Sequence, residues 1–167
     1  AARNKFEILL TYSGVHALSW HRWANFLYRI HLKLLARMTS QFAKFLTGIE
    51  IHPAAKIEGG VFIDHGMGVV IGETAEVKSG VVIYQGVTLG ALSPRAGHAS
   101  LPGKRHPTVG DYVTIYSGAS ILGGKTAIGA HSVVGGNAFL TDSVAEDTQV
   151  VIRTPEPIYR ERRHREK

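Results

Sequence analysis

From Ile51 onward the chain places an aliphatic residue at every sixth position, and this period constrains the fold more than any other feature. The series runs Ile51, Ile57, Ile63; then Ile71, Val77, Ile83, Leu89; then Val109, Ile115, Ile121; then Ile128, Val134, Leu140. Four residues after most of these stands a small or branched residue: Ala55, Val61, Ala75, Val81, Val87, Val113, Ala119, Ser132, Ala138 and Val144. An α-helix repeats at 3.6 residues and a strand at 2, and neither period yields six. The lattice predicts a parallel β-helix, in which each hexad forms a short strand and a turn and three hexads close one triangular coil. Aliphatic side chains then stack inside a narrow prism, away from water. Successive coils satisfy each other's backbone N–H and C=O groups.

Composition fits this reading. Nineteen glycines among 167 residues supply turns, and an aromatic content of 8% leaves the interior to small and branched side chains. The expected fold class is mainly β: a left-handed parallel β-helix of hexapeptide repeats over 49–144, preceded by an α-helical segment at 1–48. A C-terminal cap and basic tail are expected at 145–167. In the helical segment Trp23, Leu27, Ile30, Leu34, Met38 and Phe42 recur at helical spacing and define one apolar face. Thr11-Tyr12-Ser13-Gly14 marks a break between a short helix and a longer one, and Gly48 stands where a helix stop belongs. The apolar face needs a partner, either the rest of the chain or another subunit. The helices and the segment after Leu140 are expected to cover the ends of the coil stack.

Three interruptions of the lattice carry the functional signal. The step from Ile63 to Ile71 is eight, so the turn Asp64-His65-Gly66-Met67-Gly68 holds two extra residues. Between Leu89 and Val109 lies an arm, Gly90 to Thr108, closed by Lys104-Arg105-His106-Pro107. The third break adds one residue at Lys125-Thr126-Ala127. Loops that project from a rigid solenoid are where binding and catalysis tend to be placed.

His65 is the candidate general base, since an imidazole near its ordinary pKa can take a hydroxyl proton at neutral pH. Such a base needs a carboxylate to fix its tautomer and steady the imidazolium. Glu50 and Asp64 are the nearby choices. Glu50 precedes His65 by close to one coil, which brings the two onto adjacent levels, whereas Asp64 points elsewhere, toward a substrate ammonium. Arg105 can hold a carboxylate with two parallel hydrogen bonds. His52 reads as an end-cap, and His16, His21, His31, His98, His131 and His164 as surface or packing residues.

Other classes recede. The net charge of +6 owes much to Arg160, Arg162, Arg163, Arg165 and Lys167, a solvated tail without the aromatic interleaving of a nucleic-acid surface. No apolar run reaches membrane-spanning length, no signal peptide is evident, and cysteine is absent. A cytoplasmic location, with no membrane or nucleic-acid partner, is the expectation.

The blocks Glu50-Ile51-His52-Pro53-Ala54-Ala55-Lys56-Ile57, Ile63-Asp64-His65-Gly66-Met67-Gly68-Val69-Val70-Ile71-Gly72-Glu73-Thr74-Ala75, Tyr84-Gln85-Gly86-Val87-Thr88-Leu89-Gly90 and Lys104-Arg105-His106-Pro107-Thr108 closely resemble serine O-acetyltransferases. Gly14-Val15-His16-Ala17-Leu18 is similar to that family as well. The resemblance implies acetyl transfer from acetyl-CoA to L-serine, with His65 as catalytic base, Glu50 as its orienting carboxylate, Asp64, Arg105 and His106 binding the amino acid, and His106 counted with the catalytic residues as well. The family generally has Asp at the Glu50 position. It further implies a homotrimer, with a hexamer as the alternative, and acetyl-CoA in a groove between neighbouring β-helices touching Gly90, Ala91, Ser117, Gly118, Gly135 and Gly136. No metal is implied. The arm is longer than in the well-known bacterial enzymes, and a basic tail stands where the family's terminal isoleucine docks into cysteine synthase, which argues against that complex.

Three rivals follow from the same residues: a hexapeptide acetyltransferase for another hydroxyl or amine, a zinc site on His52, His65 and His106 of the carbonic anhydrase type, and a non-enzymatic protein that kept the fold.

Overall fold

The computed structural model describes residues 4–92 and 103–153. The middle of the arm, the basic tail, His98 and His164 lie outside the described residues.

Three helices come first: α1 (Lys5–Thr11), α2 (Ser13–Arg29) and α3 (Lys33–Thr47). The Asn4 side chain caps α1 by accepting from the Glu7 N–H at 2.9 Å, Tyr12 separates α1 from α2, and Gly48, at φ 70°, ends α3 in the left-handed conformation. The single long second helix expected from the sequence is in fact two. His31, at φ 67°, turns the chain so that α3 folds back along α2, with Trp20 edge-on to Phe42.

The apolar stripe is also placed differently. The buried positions are the small ones: Gly14, Ala17, His21 and Ala24 on α2, and Ala36, Ser40, Ala43 and Thr47 on α3. Small residues let the helix axes approach closely, whereas Trp23 and Leu34 remain 64% and 74% exposed. Among the described residues nothing covers these large apolar side chains.

The coils follow. The first holds β1 (Glu50–Ile51), β2 (Lys56–Ile57) and β3 (Phe62–Ile63), and the second β4 (Val70–Ile71), β5 (Glu76–Val77) and β6 (Val82–Ile83). The third has β7 (Thr88–Gly90), β8 (Thr108–Val109) and β9 (Thr114–Ile115), and the fourth β10 (Ser120–Leu122), β11 (Ala127–Ile128) and β12 (Val133–Val134). Last come β13 (Phe139–Leu140) and β14 (Gln149–Val150). All pairings are parallel and form three faces: β1-β4-β7-β10-β13, β2-β5-β8-β11 and β3-β6-β9-β12-β14. This is the left-handed parallel β-helix.

Register accounts for the two larger interruptions. Glu50 pairs with Val70, two residues beyond three hexads, so the extra residues of the 64–68 turn are looped out without disturbing the ladder. Glu76 pairs with Thr108, so the arm also leaves the register intact. The lattice runs past Leu140: Val144 bridges Ile128, and Gln149 pairs with Val133.

The interior is the expected aliphatic column, from Ile51 through Val134, with Ala17 and Ile49 closing its upper end and Leu140, Val144 and Val150 packed at its lower one. Helix α2 lies directly on the first coil, where a Cβ on Gly14 would stand 2.1 Å from the Ile63 carbonyl oxygen. The helices thus cover the apolar end of the stack, beside the 64–68 turn.

Candidate active site

The three faces meet at three edges, and the candidate residues divide between two of them. The edge from the third face to the first carries the 64–68 turn. His65, Gly66 and Gly68 have φ of 58°, 73° and 77°, which is how two additional residues fit into one corner. For the two glycines this conformation is free; for His65 it costs about 1 kcal/mol, a strain more tolerable in His than in branched residues. The Met67 N–H donates to the His65 carbonyl at 3.0 Å and the Gly68 N–H to the Gly48 carbonyl at 2.9 Å, tying the turn to the end of α3. The Ser13 hydroxyl, at the start of α2, donates to the same His65 carbonyl at 3.1 Å.

This backbone leaves the imidazole outside. The His65 side chain is 72% exposed, and Nε2 lies 4.0 Å from Asp64 Oδ2. Asp64 Oδ1 accepts from the His65 N–H at 3.0 Å, so Asp64 folds back toward its neighbour instead of turning away as the sequence suggested. Glu50 stands on the same edge, one level up, but its Oε2 is 2.5 Å from Lys44 Nζ, in the last turn of α3, and it is not within ion-pair distance of His65. A cleft of 290 Å³ opens here between the start of α2 and the turn, lined by Thr11, Tyr12, Ser13, Gly14, Asp64 and His65. The small-residue corners run below it in one ladder: Gly86 N–H to Met67 O, Gly118 N–H to Gln85 O and Asn137 N–H to Ser117 O, each 2.9 Å. Ser117, Gly118, Gly135 and Gly136 belong to this edge.

Arg105 and His106 sit on the next edge, from the first face to the second, together with Gly90 and Ala91. They rest on the corner Gly72-Glu73-Thr74 of the coil above. Arg105 Nη2 donates to Glu73 Oε2, the Arg105 and His106 N–H groups donate to Thr74 Oγ1 at 2.8 and 3.0 Å, and Lys104 Nζ donates to the Thr74 carbonyl at 3.0 Å. The His106 ring packs against Gly72, where a Cβ would come within 1.9 Å of Cδ2. Burial, then the Arg105 charge, push the His106 pKa below its ordinary value, against an upward pull from Glu73. His52 stands one level higher, its Nδ1 accepting from the Ala54 N–H at 3.1 Å, and burial lowers its pKa too. A second cleft, of 460 Å³, follows this edge downward past Ala91, Leu92, Arg105, Gly123, Gly124 and Lys125.

The structure therefore brings His65 together with Asp64, and Arg105 with His106, but sets the two pairs a full side of the prism apart. Among the described residues no three His, Cys, Asp or Glu side chains gather as a metal site. No helix among them is long and apolar enough to cross a membrane. Glu73 and Thr74 escaped the sequence reading. The signal for them was arithmetic: they precede Arg105-His106 by one coil plus the residues the arm adds to it, the same offset at which Glu76 pairs with Thr108.

No family model matches the chain. A serine acetyltransferase of Helicobacter pylori is 48% identical over 151 residues, 90% of this chain and 84% of the relative. The solved serine acetyltransferase of Neisseria gonorrhoeae in complex with serine superposes with a TM-score of 0.82 at 35% identity, covering 94% of this chain. Entamoeba histolytica serine acetyltransferase 1 in complex with L-cysteine gives 0.84 at 41% identity, covering 91%. The chain spans only 61% and 57% of those two solved chains. With the hexapeptide coils, the 64–68 turn and the Arg105-His106 corner in place, these likenesses make the chain a member of the serine acetyltransferase family.

Proposed function

We propose that the protein transfers the acetyl group of acetyl-CoA to the side-chain hydroxyl of L-serine, giving O-acetyl-L-serine and CoA, the first step of cysteine biosynthesis. The names of the relatives, and the serine and L-cysteine held by the solved ones, support serine as the acceptor. The observation that carries the mechanism is the division of chemistry between two parallel edges of one prism. A cyclic homotrimer that sets the His65 edge of one prism against the Arg105 edge of the next unites them and leaves a groove between. Gly90 and Ala91 from one wall, and Ser117, Gly118, Gly135 and Gly136 from the other, would line that groove for acetyl-CoA. Small residues there let an extended ligand approach the backbone.

In this reading Arg105 and His106 hold the serine carboxylate and Asp64 receives the ammonium. His65 takes the hydroxyl proton as serine Oγ bonds to the thioester carbonyl carbon; the carbon–sulfur bond then breaks and the proton passes from His65 to the departing sulfur. Glu50, one level up, is assigned to steady the imidazolium, a role that requires its side chain to leave Lys44 and turn toward the ring, since Asp64 is the carboxylate beside His65 in this structure. The test is a panel of acceptors, serine, homoserine, a sugar and water, with release of free thiol from acetyl-CoA as the readout. Serine should exceed the rest, and His65→Ala should lower kcat by about a thousandfold, the usual scale of a lost general base. Serine performing no better than water would end the reading.

A further inference from the structure

Thr74 is given no part in the reaction above, yet four hydrogen bonds connect it to the Arg105-His106 pair. Its Oγ1 accepts from the backbone N–H groups of Arg105 at 2.8 Å and His106 at 3.0 Å, which occupies both lone pairs. The hydroxyl proton is then directed at His106 Nδ1, 2.9 Å away. The Thr74 N–H also donates to Nδ1, at 3.1 Å. A proton on Nδ1 would set an N–H against an N–H inside the corner, so the neutral ring carries its proton on Nε2. Gly72 fixes the plane of the ring, because a Cβ there would lie 2.1 Å from Nε2. Among the described residues nothing accepts from Nε2, the atom left to a ligand.

From this geometry we propose that Thr74 is a positioning residue that locks His106 in the Nε2–H tautomer, so that His106 meets the substrate as a hydrogen-bond donor and not as a second base. The inference rests on the reading that His106 grips the serine carboxylate, and it divides the labour of the two histidines. The charged groups around the ring are Arg105 and Lys104 on its own segment, Glu73 on the corner above and His52 one level higher. Burial and the two cations outweigh Glu73 and keep the ring neutral, the state in which a tautomer lock has meaning.

The experiment is ¹⁵N spectroscopy of imidazole nitrogens in the substrate-free protein, with His106 assigned by its loss in His106→Gln. Wild type and Thr74→Ser should show a protonated Nε2 and a bare Nδ1. Thr74→Val, which keeps the shape and loses the hydroxyl, should mix the tautomers and raise the serine KM about tenfold with a much smaller change in kcat. A wild-type ring protonated on Nδ1, or a Thr74→Val variant with the tautomer untouched, would overturn the proposal. Should Thr74→Val fail to fold, the wild-type tautomer decides alone. Mixed tautomers with an unchanged serine KM would uphold the lock and count against the carboxylate grip.

Discussion

His21 is buried against the first coil, its ring bonded to the Ala55 backbone and its Nδ1 without a partner among the described residues. Burial, then Arg22, push its pKa from 6.5 to about 4. Between those values the unfolded chain binds a proton that the folded ring refuses. The stability His21 contributes is therefore full above pH 6.5, declines as pH falls below it, and levels off once pH passes about 4. The shift corresponds to about 3 kcal/mol over that window. His52 and His106, lowered for the same reason, act in the same direction. Melting temperature should drop between pH 7.5 and 5, and His21→Gln should flatten the drop; an unchanged slope would assign it elsewhere. In the sequence His21 reads as a surface or packing residue; its burial decides for packing, and the charge it excludes was not legible because its neighbours come from another element. His65, Arg105 and His106 were legible because each interrupts the period. Thr74 and Glu73 were not, since they occupy an ordinary corner whose importance arises from what stacks beneath it.

The elements show what the period leaves open. A run of Trp, Leu, Ile, Met and Phe at helical spacing defined an apolar face in need of a partner, and among the described residues the structure buries the small residues beside it, because close approach of α2, α3 and the coil depends on size more than on apolarity. Gly14 is the tightest of these positions. An alanine there gains about 1 kcal/mol of helix propensity but meets the Ile63 carbonyl oxygen at 2.1 Å, and overpacking of that kind costs about 1–3 kcal/mol. Gly14→Ala should lower the melting temperature by about 2–4 °C. Because Ser13 holds the His65 carbonyl, the displaced helix should also reduce kcat/KM several-fold. Measuring both on one preparation checks the coupling; lower stability with full activity would detach the helix from the turn. The β-helix itself was readable almost position by position, since its core takes the aliphatic residue of each hexad and the small or branched one four places on.

At the scale of the molecule, one chain carries two half-sites on different edges, and trimer assembly is the step that joins them in our reading. Co-expression of His65→Ala and His106→Ala tests it, because a site shared between neighbours finds both wild-type halves in about one quarter of random pairings. Mixed assemblies should recover about that fraction of wild-type kcat, with each variant inactive alone. No recovery would place the whole site within one chain. The coil lattice, the interruptions at 64–68 and 90–108 and the candidate side chains they carry follow from the sequence, because a stacked solenoid is governed by local period and every departure from it is visible as spacing. Tertiary structure decided which carboxylate stands by His65, which hydroxyl orients His106 and which side of the helices is buried. Those outcomes depend on contacts between residues one coil or more apart, where edge, level and side-chain direction, and not distance along the chain, determine what meets.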